Sequence, residues 1–222
     1  MKISRLNTGC SPLDNMLGGG FEAGVVSQVY GAGGSGKTNI CIQLAVQCVR
    51  NGKKVIYIDS EGFSAERFSQ IAGSDTQTVA NDIIIFEPIN FDNQYSCILD
   101  TEKTMSEKIG LIILDSATVY YRLDLEGDDN MKLRRTLANQ IGLLHGIARK
   151  YNIPVLITNQ IYTDINTGNA VPLGGNMMEH ISKAIIELQK ISPNRRSAII
   201  RKHRSMPEGA SCEFIITHEG IR

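Results

Sequence analysis

Residues 31–38 read GAGGSGKT and fill every fixed position of G-x-x-x-x-G-K-[ST]. Gly31, Ala32, Gly33, Gly34, Ser35 and Gly36 carry little side chain. The backbone there can fold around an anion and aim several N–H groups at the same phosphates. Lys37 brings one fixed positive charge to the β and γ phosphates of a nucleotide, Thr38 offers a hydroxyl to Mg²⁺, and Asn39 follows as a further nucleotide contact. A chance glycine loop would lack the right flanks. Here an apolar run, VVSQVY from Val25 to Tyr30, precedes the motif. After it, Ile40, Cys41, Leu44, Ala45 and Cys48 fall on one helical face. Strand, phosphate loop and helix N-terminus together form the anion site that a triphosphate needs.

Three more residues could serve that site. Asp115 ends the apolar run LIILD. A carboxylate at such a strand end can hold the Mg²⁺ shell through water. Buried strands also end in Asp as a helix cap, so the nearby phosphate loop decides for the metal role. Glu61 lies three residues past Ile58, at the mouth of another strand, where it could align or deprotonate the attacking water. Asp59 and Ser60 read as local caps. Gln160 ends LITNQ. Its amide could bond the γ-phosphate or merely satisfy loop carbonyls, and spacing alone does not choose. A basic stretch at 194–209 holds Arg195, Arg196, Arg201, Lys202 and Arg204, with no acid before Glu208. It reads as a protected sheet edge, as a grip on nucleic-acid phosphates, or as cations for a neighbour's nucleotide.

The elements that must position these groups are strands and helices in alternation, which argues an α/β fold with a mostly parallel sheet wrapped by helices. A short capped helix covers 11–24, and strands follow at 54–59, 82–88, 110–116 and 153–160. The run 110–116 is apolar on both faces and therefore central. Leu133, Leu137, Ile141, Leu144 and Ala148 mark a long helix. Segments 181–190, 197–202 and 212–217 read as a C-terminal antiparallel meander. The 222 residues fit one domain. A 42% hydrophobic and 21% charged composition is that of a globular chain, and no apolar run approaches the roughly 20 residues that span a bilayer. Five scattered cysteines without C-x-x-C spacing argue against zinc or a disulfide framework and for a reducing cytoplasm. Acids and bases balance at 23 each, so net charge excludes no partner.

The ordered set GAGGSGKTN, YIDSEGFSAERF, LIILDS, LITNQ, PLGGN and RKHRSMPEG resembles the core of the RecA/RadA recombinase family along almost the whole chain. The length is similar to that of its short archaeal members, which lack an N-terminal DNA-binding domain. The resemblance implies a single RecA-like P-loop ATPase core over 1–222, with ATP and Mg²⁺ as cofactors. It implies that Lys37, Glu61 and Gln160 are catalytic, that Thr38 and Asp115 serve the metal, and that Arg67 lies by the adenine. It also implies that Gln160 couples the γ-phosphate to a DNA-binding loop. Lys202 and Arg204 are similar to a basic pair that some members present to a neighbouring subunit's phosphates.

Departures from the family pattern shape the functional expectation. The first loop, 118–131, holds Asp124, Glu126, Asp128 and Asp129 against Arg122. That acidity repels DNA phosphate. The second loop, 161–171, has no Lys or Arg but keeps Tyr162 as a stacker. Lys132, Arg134 and Arg135 restore positive charge behind the first loop. Together with Arg195, Arg196 and Arg201 they are the candidate DNA contacts. No F-x-x-A polymerisation segment stands in residues 1–7, and FSA at 63–65 is too short for one. A monomer or dimer is therefore expected rather than a long filament. The expected function is a weak, DNA-binding ATPase that assists recombinational repair, with the RadA recombinase or a junction-processing nuclease as partner. Turnover would be slow if Lys202 and Arg204 need a neighbour. The alternatives are a full strand-exchange recombinase and a nucleotide-switched module that does not bind DNA.

Overall fold

The computed structural model describes residues 3–125, 130–163 and 170–222. At the N-terminus β1 (Arg5–Leu6) and β2 (Phe21–Glu22) pair antiparallel around α1 (Ser11–Met16). The helix begins without a capping side chain at Cys10. Asp14 reaches back instead, accepting from the Thr8 amide at 2.7 Å, the Thr8 hydroxyl at 2.9 Å and the Gly9 amide at 3.1 Å. An acid in the first helical turn also complements the helix dipole.

The nucleotide half of the core follows as β3 (Val26–Gly31), α2 (Lys37–Arg50), β4 (Lys54–Asp59), α3 (Ala65–Ala72) and α4 (Thr76–Ala80). Then come β5 (Ile83–Phe86), α5 (Phe91–Thr104), β6 (Ile109–Asp115), α6 (Val119–Asp124), α7 (Asn130–Tyr151) and β7 (Val155–Asn159). Two short strands, β8 (Ile161–Thr163) and β9 (Ala170–Pro172), lead to α8 (Gly175–Ile181). The chain ends with β10 (Ala184–Lys190), β11 (Arg195–Lys202), β12 (Ser211–Thr217) and β13 (Gly220–Ile221).

The main sheet runs β13-β12-β11-β10-β3-β7-β6-β4-β5. From β10 to β5 every neighbouring pair is parallel, and β6 is interior, as its apolar sequence requires. Side chains alternate between two cores because the strand period is two. Val55, Tyr57, Leu111 and Ile113 pack toward α2, while Ile56, Ile58, Ile112 and Leu114 pack toward α5 and α7. Alternation therefore also fixes which face a strand-end carboxylate takes.

The tail is the antiparallel meander that its sequence predicts, since β10, β11, β12 and β13 pair antiparallel in succession. β10 joins this meander to the parallel part of the sheet beside β3, because the connection through α8 returns the chain to the same end of the sheet. The structure refines one expectation. The first loop begins with a helix, α6, over Val119–Asp124. Its acids Glu126, Asp128 and Asp129, and Asp164 of the second loop, lie outside the described residues. No helix among the described residues is long and apolar enough to cross a membrane.

Candidate functional site

The phosphate loop joins β3 to α2, and its backbone favours glycine at Gly31, Gly34 and Gly36. Gly36, the residue before α2, has φ of +105°, a region that favours glycine. A side chain at Gly31 would come within 2.5 Å of the Leu188 carbonyl oxygen on β10. At Gly33 and Gly34 an added Cβ would meet nothing within 4 Å, so that side of the loop is open. The buried Lys37 ammonium donates to the carbonyls of Gly31 at 3.0 Å and Ala32 at 3.2 Å. It is held inside the loop that it would serve. The Ser35 hydroxyl is buried with no hydrogen-bond partner. A cavity of about 280 Å³ lies over this loop, and Thr38, Asn39, Glu61 and Gln160 share its wall.

Register brings the carboxylates to the same end. Asp59 and Asp115 are direct neighbours across β4 and β6. Both fall on the α2 face by alternation. Asp115 is buried and accepts from the Tyr57 hydroxyl at 2.9 Å and the Thr158 hydroxyl at 2.5 Å. Burial raises its pKa, hydrogen bonds from Thr158 and Tyr57 oppose the rise, and the Glu61 charge adds to it. The nearby Thr38 hydroxyl adds a smaller lowering contribution, so the two residues assigned to Mg²⁺ are neighbours. Direct hydrogen bonds occupy both Asp115 oxygens, which suits a carboxylate that holds metal-bound water rather than the metal. Asp59 accepts from the amides of Glu61 at 3.4 Å and Gly62 at 3.0 Å, so it shapes the turn, as a cap does. Glu61 is left exposed toward the cavity.

Gln160 donates from its side-chain amide to Glu61 at 3.0 Å. Two fully buried residues that the sequence reading passed over hold it there. The Thr118 hydroxyl accepts the Gln160 backbone N–H at 3.1 Å and donates to the Asn159 side chain at 2.8 Å. Asn159 donates to the Leu173 carbonyl at 2.8 Å, and the Leu173 N–H returns to the Gln160 carbonyl at 3.0 Å. This ring ties the strand end to the start of α6 and to the far side of the second loop. A polar pair inside apolar runs was the available signal, since buried polar groups need partners. A second buried chain links Ser60 to Gln94 on α5 at 3.1 Å, and Gln94 to Gln140 on α7 at 2.7 Å.

The arrangement has the groups to hold a triphosphate, place a divalent cation and align a water, and the whole chain is similar to known proteins. A family profile described as Rad51 matches residues 1–222. The chain is 56% identical over 219 residues to the DNA repair and recombination protein RadB of Methanococcoides burtonii, covering 98% of this chain and 97% of that one. It is 44% identical over 223 residues to the RadB of Archaeoglobus fulgidus, covering 100% and 99%. A crystal structure of the RadB recombinase matches with a TM-score of 0.84 at 36% identity, covering 97% of this chain and 98% of that one. The chain belongs to the Rad51 family, in its RadB group.

In this Rad51-family chain the remaining candidates separate by environment. Arg67 donates to the Asn39 side chain at 2.7 Å and to the carbonyls of Thr217 at 2.9 Å and His218 at 2.8 Å. It fastens α3 to the C-terminal strands beside the cavity. Arg196 is corrected. It is 6% exposed, and its guanidinium donates to Gly34 in the phosphate loop at 2.9 Å and to Ser192, Pro193 and Arg195 carbonyls. It braces the nucleotide loop and has no surface to offer DNA. Arg195 pairs with Glu213 at 2.6 Å, and Arg201 with Glu187 at 2.6 Å. These are cross-strand ion pairs, and they lie on β11, which is paired on both sides and is not an edge strand; they compete with any DNA contact. Arg134 and Tyr162, the latter 45% exposed, line a cleft of about 740 Å³ beside α6. Lys132 and Arg135 are exposed on the first turns of α7.

Lys202 and Arg204 lie at the far end of the sheet from their own phosphate loop. Lys202 pairs with Ile185 at the start of β10, whereas Leu188, near the end of β10, pairs with Gly31. Lys202 donates to the Glu179 carbonyl, and Arg204 forms an ion pair with the buried Glu22.

Proposed function

We propose that this protein is a single-domain, cytoplasmic accessory factor of DNA repair and homologous recombination that binds ATP and DNA and hydrolyses ATP slowly. It does not exchange strands by itself. RadA recombinase or a junction-processing nuclease is its protein partner, and it works as a monomer or dimer. The observation that carries this reading is the division of charge. One chain gathers Lys37, Thr38, Glu61, Asp115 and Gln160 around one cavity, while Lys202 and Arg204 stand at the opposite end of the sheet. Nucleotide binding is complete in one chain, and fast hydrolysis is not. Lys202 and Arg204 can add their charge to hydrolysis only from a second copy, and cations supplied in that way are worth about 10³ to 10⁵ in rate.

Within the site, Lys37 and the loop amides hold the phosphates. Thr38 would hold Mg²⁺, with Asp115 behind it through water. The metal ion, when bound, neutralises charge on the β and γ phosphates. Glu61 orients the attacking water or takes its proton, and Gln160 keeps Glu61 in place. DNA binding draws on Arg134, Tyr162, Lys132 and Arg135 around the cleft, which supports binding without a long basic groove.

The test compares the purified protein without nucleotide, with ADP and with a non-hydrolysable ATP analogue. DNA affinity is measured against salt, and strand exchange is assayed with the protein alone. Salt-sensitive binding without strand exchange supports the proposal, since a protein that grips phosphates loses affinity linearly in log[salt]. Strand exchange by the isolated protein, or no DNA binding at low salt, would refute it.

A further inference from the structure

Among the described residues Arg122 and Lys37 are the two cationic side chains that line the cavity over the phosphate loop. Arg122 lies on α6, the helix that opens the first loop, and also lines the neighbouring cleft with Arg134 and Tyr162. Its position is set from the nucleotide side. The Arg122 N–H donates to the Thr118 carbonyl at 3.0 Å, and the Thr118 hydroxyl accepts the N–H of Gln160 at 3.1 Å. Gln160 in turn holds Glu61. Arg122 therefore stands one helical turn along α6 from Thr118, whose hydroxyl anchors the Gln160 strand end. Glu61, Gln160 and Arg122 line the same cavity as the loop that carries Lys37. Among the described residues Arg122 forms no ion pair, so no carboxylate there neutralises it.

We propose that Arg122 binds the γ-phosphate of the nucleotide held by its own chain, as a cation supplied in cis. The inference rests on the reading of residues 31–38 as an ATP site. A guanidinium is always charged and presents a planar fork of donors that matches phosphate oxygens. The terminal phosphate is the part of ATP that ADP lacks, and the Glu61–Gln160 pair marks the end of the cavity where it lies. Arg122 thus makes the site discriminate triphosphate from diphosphate, and the discrimination is sensed at α6, where the first loop begins.

The full-length protein and its Arg122→Ala and Arg122→Lys variants are titrated with adenylyl imidodiphosphate and, separately, with ADP, each with Mg²⁺. Arg122 is exposed, so its truncation removes little packing. A charge-assisted hydrogen bond is worth about tenfold or more in affinity. Arg122→Ala is therefore expected to weaken the triphosphate analogue about tenfold and to leave ADP within about twofold, with Arg122→Lys recovering part of the loss. An unchanged ratio of analogue to ADP affinity would overturn the proposal. So would an equal loss of both nucleotides, or a loss confined to DNA binding, which would assign Arg122 to the cleft. If the unaltered protein binds neither nucleotide, the ATP site itself is overturned and the inference falls with it.

Discussion

Glu61 follows β4 and Gln160 follows β7, with β6 between them, yet their side chains meet at 3.0 Å. That contact gives the carboxylate one fixed position above the phosphate loop. Removing its charge while keeping its shape isolates its chemistry. Glu61→Gln is expected to bind nucleotide within about twofold of the unaltered protein and to lose ATP turnover about 100-fold, the lower range for a positioned acid–base group. Single-turnover hydrolysis measured beside nucleotide affinity tests this, and unchanged turnover would remove Glu61 from that role. Asp59 shows why neighbouring acids differ. Its oxygens accept from the Glu61 and Gly62 amides and shape the turn, while the Glu61 carboxylate is exposed toward the cavity. Arg196 is the counterpart among the cations. Sequence spacing placed it with the DNA contacts, but the pleat of β11 turns it inward to the Gly34 carbonyl.

At the scale of elements, the pairing of β10 with β11 carries a titratable lock. Burial alone would raise the Glu187 pKa, but hydrogen bonds from Gln189 and Arg201, with the Arg201 charge, outweigh it and leave it below its ordinary 4.5. The Tyr30 phenol, whose own pKa burial and Glu187 push up to about 12, is bonded to the same carboxylate. A carboxylate depressed in the folded state stabilises the fold above its unfolded pKa and loses that contribution as pH falls through the folded value. The stability difference between the unaltered protein and Glu187→Gln is therefore expected to be full near neutral pH, to shrink below pH 4.5 and to vanish in stronger acid. Urea unfolding across that range measures it, and a difference that grows on acidification would contradict the sign. The alternating core pattern made most elements legible beforehand. Where β10 joins the sheet was not legible, because its parallel pairing with β3 depends on the connection through α8 and not on the strand's own residues.

The whole molecule separates a nucleotide end from a basic end. Lys202 and Arg204 lie too far along the sheet to reach their own phosphate loop, so their influence on hydrolysis must come through a second copy. ATPase activity per chain is expected to rise with protein concentration, and a Lys202→Ala, Arg204→Ala double variant is expected to abolish that rise without changing nucleotide affinity. Turnover measured over a wide concentration range checks this, and a flat profile for the unaltered protein would exclude a trans contribution. Arg204 also pairs with Glu22, so a stability measurement on the double variant separates packing from catalysis.

The sequence by itself determined the phosphate loop, the strand ends that hold Asp115, Glu61 and Gln160, and the Rad51-type core. Those features depend on local spacing and on the periods of strand and helix, which a linear chain displays. Only the tertiary structure decided that Thr118 and Asn159 hold Gln160, that Arg196 braces Gly34, and that Arg122 lines the cavity over the phosphate loop. Each joins residues from separate elements, and their contact follows from strand order and side-chain direction, which no local pattern records. GAGGSGKT thus announces a nucleotide site, and the fold supplies the groups that can tell which nucleotide is in it.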